Sequence, residues 1–335
     1  MEEKTKKDNP VYSETAYDDA FRTMEGKCDD LLIPFVSHMF DENYDSTAEI
    51  KRYRNEHYVE HEDGSEEKRV TDSYFDITCK DVTKRYHLEC ESRKYDGTIL
   101  VRLFEYDTQI AKDTSEKNIY KARFRFPNTG VLLLRTSKET PGSGRIEIIM
   151  PDGREVDYDV PFIKMADYEI EDIFREKLFM LIPFYIFNFE SQLSQINDSE
   201  ERIDELFEKY NDVFRRLEEE QKTGNLSALS YDAIIRLTYS VAYKLTMKQS
   251  NVQMKVGDVM GGKVLDLPGF KIYDDGKKEG KAEEREAGIE IFIKDKIEDE
   301  IPFEKIVSKL QKNYKLTEDA AREYVQRYAS MVVEK

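Results

Sequence analysis

Two short acidic stretches in the first third of the chain carry residues that could hold a cation. Asp76 stands in Ser73-Tyr74-Phe75-Asp76-Ile77-Thr78, and Glu89 and Glu91 stand in Tyr86-His87-Leu88-Glu89-Cys90-Glu91. Both stretches are rich in aromatic and β-branched residues and read as strands. The polar run Lys80-Asp81-Val82-Thr83-Lys84-Arg85 between them suits a turn. Residues two apart on a strand share a face, so Glu89 and Glu91 point the same way, and Asp76 would face them from the neighbouring strand. Three carboxylates converging on one spot repel one another unless a cation sits among them. Hard oxygen donors of this kind suit Mg²⁺ or Mn²⁺. The spacing has a plainer explanation as well. Asp and Glu supply 70 of 335 residues, so an acid-x-acid triplet arises readily, and a strand with one wet face alternates in the same way.

The elements that must position these acids follow from periodicity. Residues up to about Pro10 are polar and are expected to fray. Tyr17 to Met39 has apolar residues at helical spacing, interrupted at Gly26, which predicts two short helices. Strands follow from Glu49 to Cys90, with Asp63-Gly64 as a hairpin turn. Leu100 to Ala111 suits a helix behind the second acidic strand. The apolar run Gly130 to Leu134 predicts a strand buried on both faces. Arg145 to Met150 and Val156 to Val160 are further strands about the Asp152-Gly153 turn. Glu171 to Glu190 reads as an apolar helix with Pro183 as a kink.

Beyond this the chain becomes helical and charged. Ser199 to Gln221 and Tyr231 to Met247 are amphipathic helices. Val256 to Phe270, with four glycines and Pro268, reads as a linker. Lys277 to Ile297, Phe303 to Lys312 and Thr317 to Tyr328 are expected helices, the last with Thr317 as its N-cap. The expected organisation is therefore a core over 12–190, a helical extension over 191–255, a linker over 256–272 and a charged helical region over 273–335. Self-association or partner binding is the expected role of that last region.

Composition narrows the function classes. The net charge is −18, which speaks against loose, charge-driven nucleic-acid binding without excluding a local basic groove. Lys121-Ala122-Arg123-Phe124-Arg125-Phe126 alternates cations with apolar residues, and Lys51-Arg52-Tyr53-Arg54 has three cations in four positions. Either could line a phosphate track, or be the wet face of a strand. Three cysteines and four histidines make no recognised ligand spacing. With 21 Tyr and 18 Phe the chain has the aromatic content of a folded protein. The absence of an 18-residue apolar run and of a signal peptide predicts a cytoplasmic protein with no membrane partner.

The order of elements is an acidic helix, a hairpin, a strand with Asp, a strand with Glu-x-Glu and a helix behind. It resembles the PD-(D/E)XK nuclease fold, and more narrowly the Rpn-type recombination-promoting nucleases, also described as PD-(D/E)XK family transposases. The likeness rests on Tyr17-Asp18-Asp19-Ala20-Phe21-Arg22, Asp76, Glu89-Cys90-Glu91, the apolar Lys177 to Phe184 stretch and Gly276-Lys277-Lys278-Glu279-Gly280-Lys281. It covers residues 12–190 well and the remainder loosely. The resemblance implies an α/β restriction-endonuclease-like core with a mixed central sheet flanked by helices, plus a C-terminal helical appendage. It implies Asp76 and Glu89 as metal-binding acids and Asp18 as a further family acid. Glu91 departs from the pattern, because the wider superfamily has Lys there and the Rpn group commonly Gln. An ionised carboxylate cannot donate to a phosphate, but it can add a metal ligand. Lys94 would restore a cation only if the strand bends. The implied function is Mg²⁺- or Mn²⁺-dependent DNA endonuclease, with Asp76, Glu89 and Glu91 catalytic. The alternative is a nuclease-fold protein that no longer cuts and serves as a binding or assembly module.

Overall fold

The computed structural model describes residues 16–53, 56–60, 66–70, 73–266, 289, 293, 302–314 and 316–333. The two expected N-terminal helices are α1 (Ala16–Lys27) and α2 (Asp29–Phe40), and the break falls at Cys28, two residues after Gly26. Ala20, Phe21 and Met24 of α1, and Leu31, Leu32, Phe35 and Val36 of α2, are buried at the spacing that puts them on one side of each helix.

Ten strands are described. They are β1 (Glu49–Arg52), β2 (Glu56–Glu60), β3 (Glu66–Val70), β4 (Ser73–Cys79), β5 (Val82–Lys94), β6 (Glu116–Lys117), β7 (Ala122–Arg123), β8 (Asn128–Arg135), β9 (Ser143–Ile149) and β10 (Glu155–Lys164). Six form one mixed sheet in the order β1-β4-β5-β8-β10-β9. β4 and β5 make an antiparallel hairpin through a tight turn in which Lys80 and Asp81 both take positive φ. β5, β8 and β10 run parallel, with α3 (Ile99–Asp113) as the connection between β5 and β8. β2 pairs with β3 and β6 with β7 as separate two-stranded ribbons, and the Asp63-Gly64 turn lies outside the described residues. The run from Thr129 to Leu134 is buried throughout, as a central strand covered on both faces must be. One face packs Val131 and Leu133 against Ile99 and Leu103 of α3. The other is covered by α2, where the Phe40 and Tyr86 rings lie 5.0 Å apart.

The expected helix over 171–190 is instead two pieces, α4 (Ile170–Arg175) and a 3-10 helix over Phe179–Gln192. Lys177 takes φ 55 and ends the first, and Pro183 lacks the N–H an α-helical turn would need. Every residue from Phe179 to Phe187 is buried, so packing on all sides rather than an amphipathic stripe holds this segment.

α5 (Leu193–Asn197), α6 (Glu200–Lys222) and α7 (Ala228–Leu245) follow, with Ser199 and Ser227 as N-caps of the two longer helices. These helices do not form a detachable extension. Asp30 of α2 accepts hydrogen bonds from the Ser227 N–H at 2.9 Å and from the Ser230 hydroxyl, and the compact first unit runs to Val264. The expected linker is likewise helical over its first part: α8 (Ser250–Lys255), a π-helical turn (Val256–Gly261) and α9 (Gly262–Asp266). Burial of Val256 and Met260 outweighs the roughly 1 kcal/mol that each interior glycine costs a helix.

The second unit spans Leu265–Lys335. Its described helices are α10 (Phe303–Tyr314) and α11 (Glu318–Val333). Ile306, Val307 and Leu310 of α10 pack with Ala321 and Val325 of α11 and with Ile289 and Ile293. Thr317 caps α11, its hydroxyl accepting from the Ala320 N–H at 3.4 Å. The expected Lys277–Ile297 helix and the Gly276–Lys281 segment lie outside the described residues, apart from Ile289 and Ile293. No helix among the described residues is long and apolar enough to cross a membrane.

Candidate functional site

β5 is buried on both faces from Tyr86 to Glu91, and the faces differ in chemistry. Tyr86, Leu88 and Cys90 enter the apolar core, whereas His87, Glu89 and Glu91 form a polar row on the side covered by α3. The alternation is thus that of a strand whose polar face has been taken out of water, which demands partners for every charge.

The partners come from α3 and from the sheet. The Arg102 guanidinium donates to Glu91 Oε2 at 2.8 Å and stands 3.7 Å from Glu89 Oε2. The Arg93 backbone N–H donates to Glu91 Oε1 at 2.8 Å. The His87 ring lies between two carboxylates, with Nε2 3.2 Å from Glu89 Oε1 and Nδ1 2.7 Å from Asp107 Oδ1. Asp107 also accepts from the Thr129 hydroxyl at 2.7 Å and the Tyr158 hydroxyl at 3.0 Å. Burial alone would push the His87 imidazolium toward neutrality, but the hydrogen bonds and charges of Asp107 and Glu89 outweigh it and raise its pKa to about 9. The result is a chain of alternating charge, Asp107–His87–Glu89–Arg102–Glu91, held between the central strand and one helix.

Asp18 of α1 reaches this chain electrostatically. Burial raises its pKa, and the negative charges of Glu89, Asp19 and Glu91 add to the rise against the pull of Arg22. Three of the four acids singled out in the sequence, Asp18, Glu89 and Glu91, therefore feel one another's charge.

Asp76 does not join them. The antiparallel register sets Asp76 opposite Arg85, four residues before Glu89, or about 13 Å along the strand. Its carboxylate is closed by a bidentate ion pair with Arg85, at 2.8 and 3.1 Å, and by the Tyr53 hydroxyl at 2.7 Å. Arg85 also lies over the Tyr53 and Tyr74 rings. The expected convergence on Asp76 thus fails on register, because sharing a sheet face does not bring residues to the same height on it. The strand does carry an irregularity between Glu91 and Lys94, but Lys94 is exposed, and Arg102 supplies the cation beside Glu91.

In kind, the donors fit a hard divalent cation, since Glu89 and Glu91 are carboxylates on one strand face and Asp18 feels both. They are not gathered around one: among the described residues no three His, Cys, Asp or Glu side chains are placed as a metal-holding group.

Sequence reasoning missed His87, Arg102 and Asp107. His87 was legible, lying two residues from Glu89 and so on its face. Asp107 had a signal too, since it falls on the buried stripe Ile99-Leu103-Asp107-Ile110 of α3, where a carboxylate requires a partner.

The chain matches no protein-family model, no curated protein and no solved structure. Fold and site together define an α/β protein with a mixed six-stranded sheet flanked by helices and a buried chain of alternating charge on its central strand.

Proposed function

We propose that this chain is a metal-dependent DNA endonuclease of the recombination-promoting type, with Glu89, Glu91 and Asp18 as its acid set. The observation that supports the proposal is that Glu89 and Glu91 share one face of the central strand beside Arg102, while Asp18 of the first helix feels the charge of both. A Mg²⁺ or Mn²⁺ ion held by them would supply a water acidic enough to attack a phosphodiester and would offset charge on the leaving oxygen. The chain's own residues do the rest. His87, fixed by Asp107, orients Glu89. Arg102 brings the fixed positive charge that the superfamily draws from Lys, and its guanidinium can donate to a phosphate. Asp76 has a structural part, anchoring Arg85.

One observation favours a second reading, a nuclease-fold module that binds without cutting. Glu89 and Glu91 already have internal cations in Arg102 and His87, as a site that has lost its metal would require.

Nicking of supercoiled plasmid with Mg²⁺ or Mn²⁺ separates the two. The endonuclease reading expects nicking by the wild type, at least a hundredfold loss in Glu89→Gln and retention in Asp76→Asn. A folded wild type that nicks with neither ion, and whose melting temperature neither ion moves, would leave the binding module.

A further inference from the structure

We infer that the β6–β7 ribbon is a grip for single-stranded DNA, separate from the acid site; the inference rests on the DNA-directed reading above. The ribbon connects α3 to β8 and stands out from a strongly acidic chain. Residues 116–125 carry Lys117, Lys121, Arg123 and Arg125 against the single acid Glu116, a local charge of +3 where the whole chain carries −18. Glu116 is shared between Arg123 at 3.5 Å and Arg125 at 2.9 Å. Lys117 and Lys121 are exposed and pair with no carboxylate among the described residues.

The apolar residues of the ribbon are as unusual as its charge. Ile119 is 86% exposed, Tyr120 89% and Phe124 55%, at the tip and just past the second strand. Three large apolar side chains in water are explained neither by packing nor by solubility. The tip is nevertheless ordered by its own hydrogen bonds. The Asn118 side chain accepts from the Tyr120 and Lys121 N–H groups at 3.0 Å each, and the Asn118 N–H donates to the Lys121 carbonyl at 2.9 Å. The base is fixed to the site helix, since the Phe126 ring stacks 6.2 Å from Phe104 and lies 6.0 Å from Tyr158, whose hydroxyl bonds Asp107.

This combination selects the partner. Lys121, Arg123 and Arg125 alternate with Ala122, Phe124 and Phe126, so successive cations sit about 6.8 Å apart along extended chain. Cations at regular intervals suit a phosphate backbone, and exposed rings beside them suit unpaired bases, whose faces stack on aromatics whatever the sequence. A duplex offers the same phosphates but hides those faces, so the ribbon prefers single strands.

The test is fluorescence anisotropy of the full chain with a labelled mixed-sequence 20-mer, single-stranded or duplex, in EDTA so that cleavage plays no part. The expected result is tighter binding of the single strand and a roughly tenfold loss in Tyr120→Ala, within the 1–3 kcal/mol per stacked base. Lys117→Ala/Lys121→Ala should lower the slope of log K against log salt by about 1.4, two phosphate contacts on a single strand. Both changes are at exposed positions, so melting temperatures should hold. Unchanged affinity and slope in these variants would overturn the inference, as would a preference for duplex or capture by phosphatidylglycerol vesicles in place of DNA. Ribbon-dependent binding by a protein that fails to nick plasmid would sink the endonuclease reading and leave the grip standing.

Discussion

His87 offers the sharpest test of the buried charge chain. It has no exposed surface and sits between Asp107 and Glu89. Its pKa is about 9 in the folded state against 6.5 for a free imidazole. At 1.36 kcal/mol per unit, that difference is worth about 3 kcal/mol of preference for the folded imidazolium, as an order of magnitude. The sign follows from linkage. A raised histidine pKa means the folded state holds the proton more tightly, so the stabilisation is complete below pH 6.5 and is lost as pH rises to 9. His87→Gln keeps a donor but removes the charge and leaves Asp107 and Glu89 without their shared cation, a loss of about 3–5 kcal/mol where the cation is protonated. Urea denaturation of wild type and variant, in EDTA at intervals from pH 6 to 9.5, reads the effect. The stability gap between them should be widest at pH 6 and shrink by about 3 kcal/mol by pH 9.5. Taking the difference removes the titration of the groups that do not touch His87. A gap that stays constant across the range would show that His87 is not charged in the fold, and the alternating chain would have to be redrawn with a neutral ring.

Two further expectations concern the frame. Burial raises the pKa of Glu25 to about 7, against the pull of Arg52 and Ser73, so its charged form costs stability progressively from pH 4.5 to 7 and fully above. Glu25→Gln should therefore add about 3 kcal/mol at pH 8 and under about 1 kcal/mol at pH 5 in the same urea assay, because Arg52 keeps its bonds to the Glu25 carbonyl and Asp29; no gain at pH 8 would refute the assignment. At Gly130 of β8 a Cβ would strike the Met39 sulfur and come within 3.0 Å of the Phe40 ring, so Gly130→Val should cost about 1–3 kcal/mol of stability by thermal melting, and a variant as stable as wild type would show that α2 can move.

Periodicity alone made most of the frame legible. The break between α1 and α2, the β4–β5 hairpin, the α3 crossover, the apolar run of β8 and the cap at Thr317 are local matters, decided by residues a few positions apart. The pairing of Glu89 with Glu91 on one face is of the same kind, because a strand's repeat of two depends on nothing distant. What only the tertiary structure decided is height, continuity and company. Asp76 shares the face of Glu89 but sits about 13 Å along the strand, because the register depends on where the turn at Lys80 and Asp81 falls. The helical turn at Val256–Gly261 came from burial, which overrode what the glycines suggest locally, and the 3-10 segment at Phe179–Gln192 came from burial on all sides together with Pro183. The company kept by the acids, Arg102 and Asp107 from α3 and Tyr158 from β10, is set by how separate elements pack on the sheet. A carboxylate's chemistry follows from the charges within a few ångströms of it, and those distances exist only once the sheet and its covering helix are assembled.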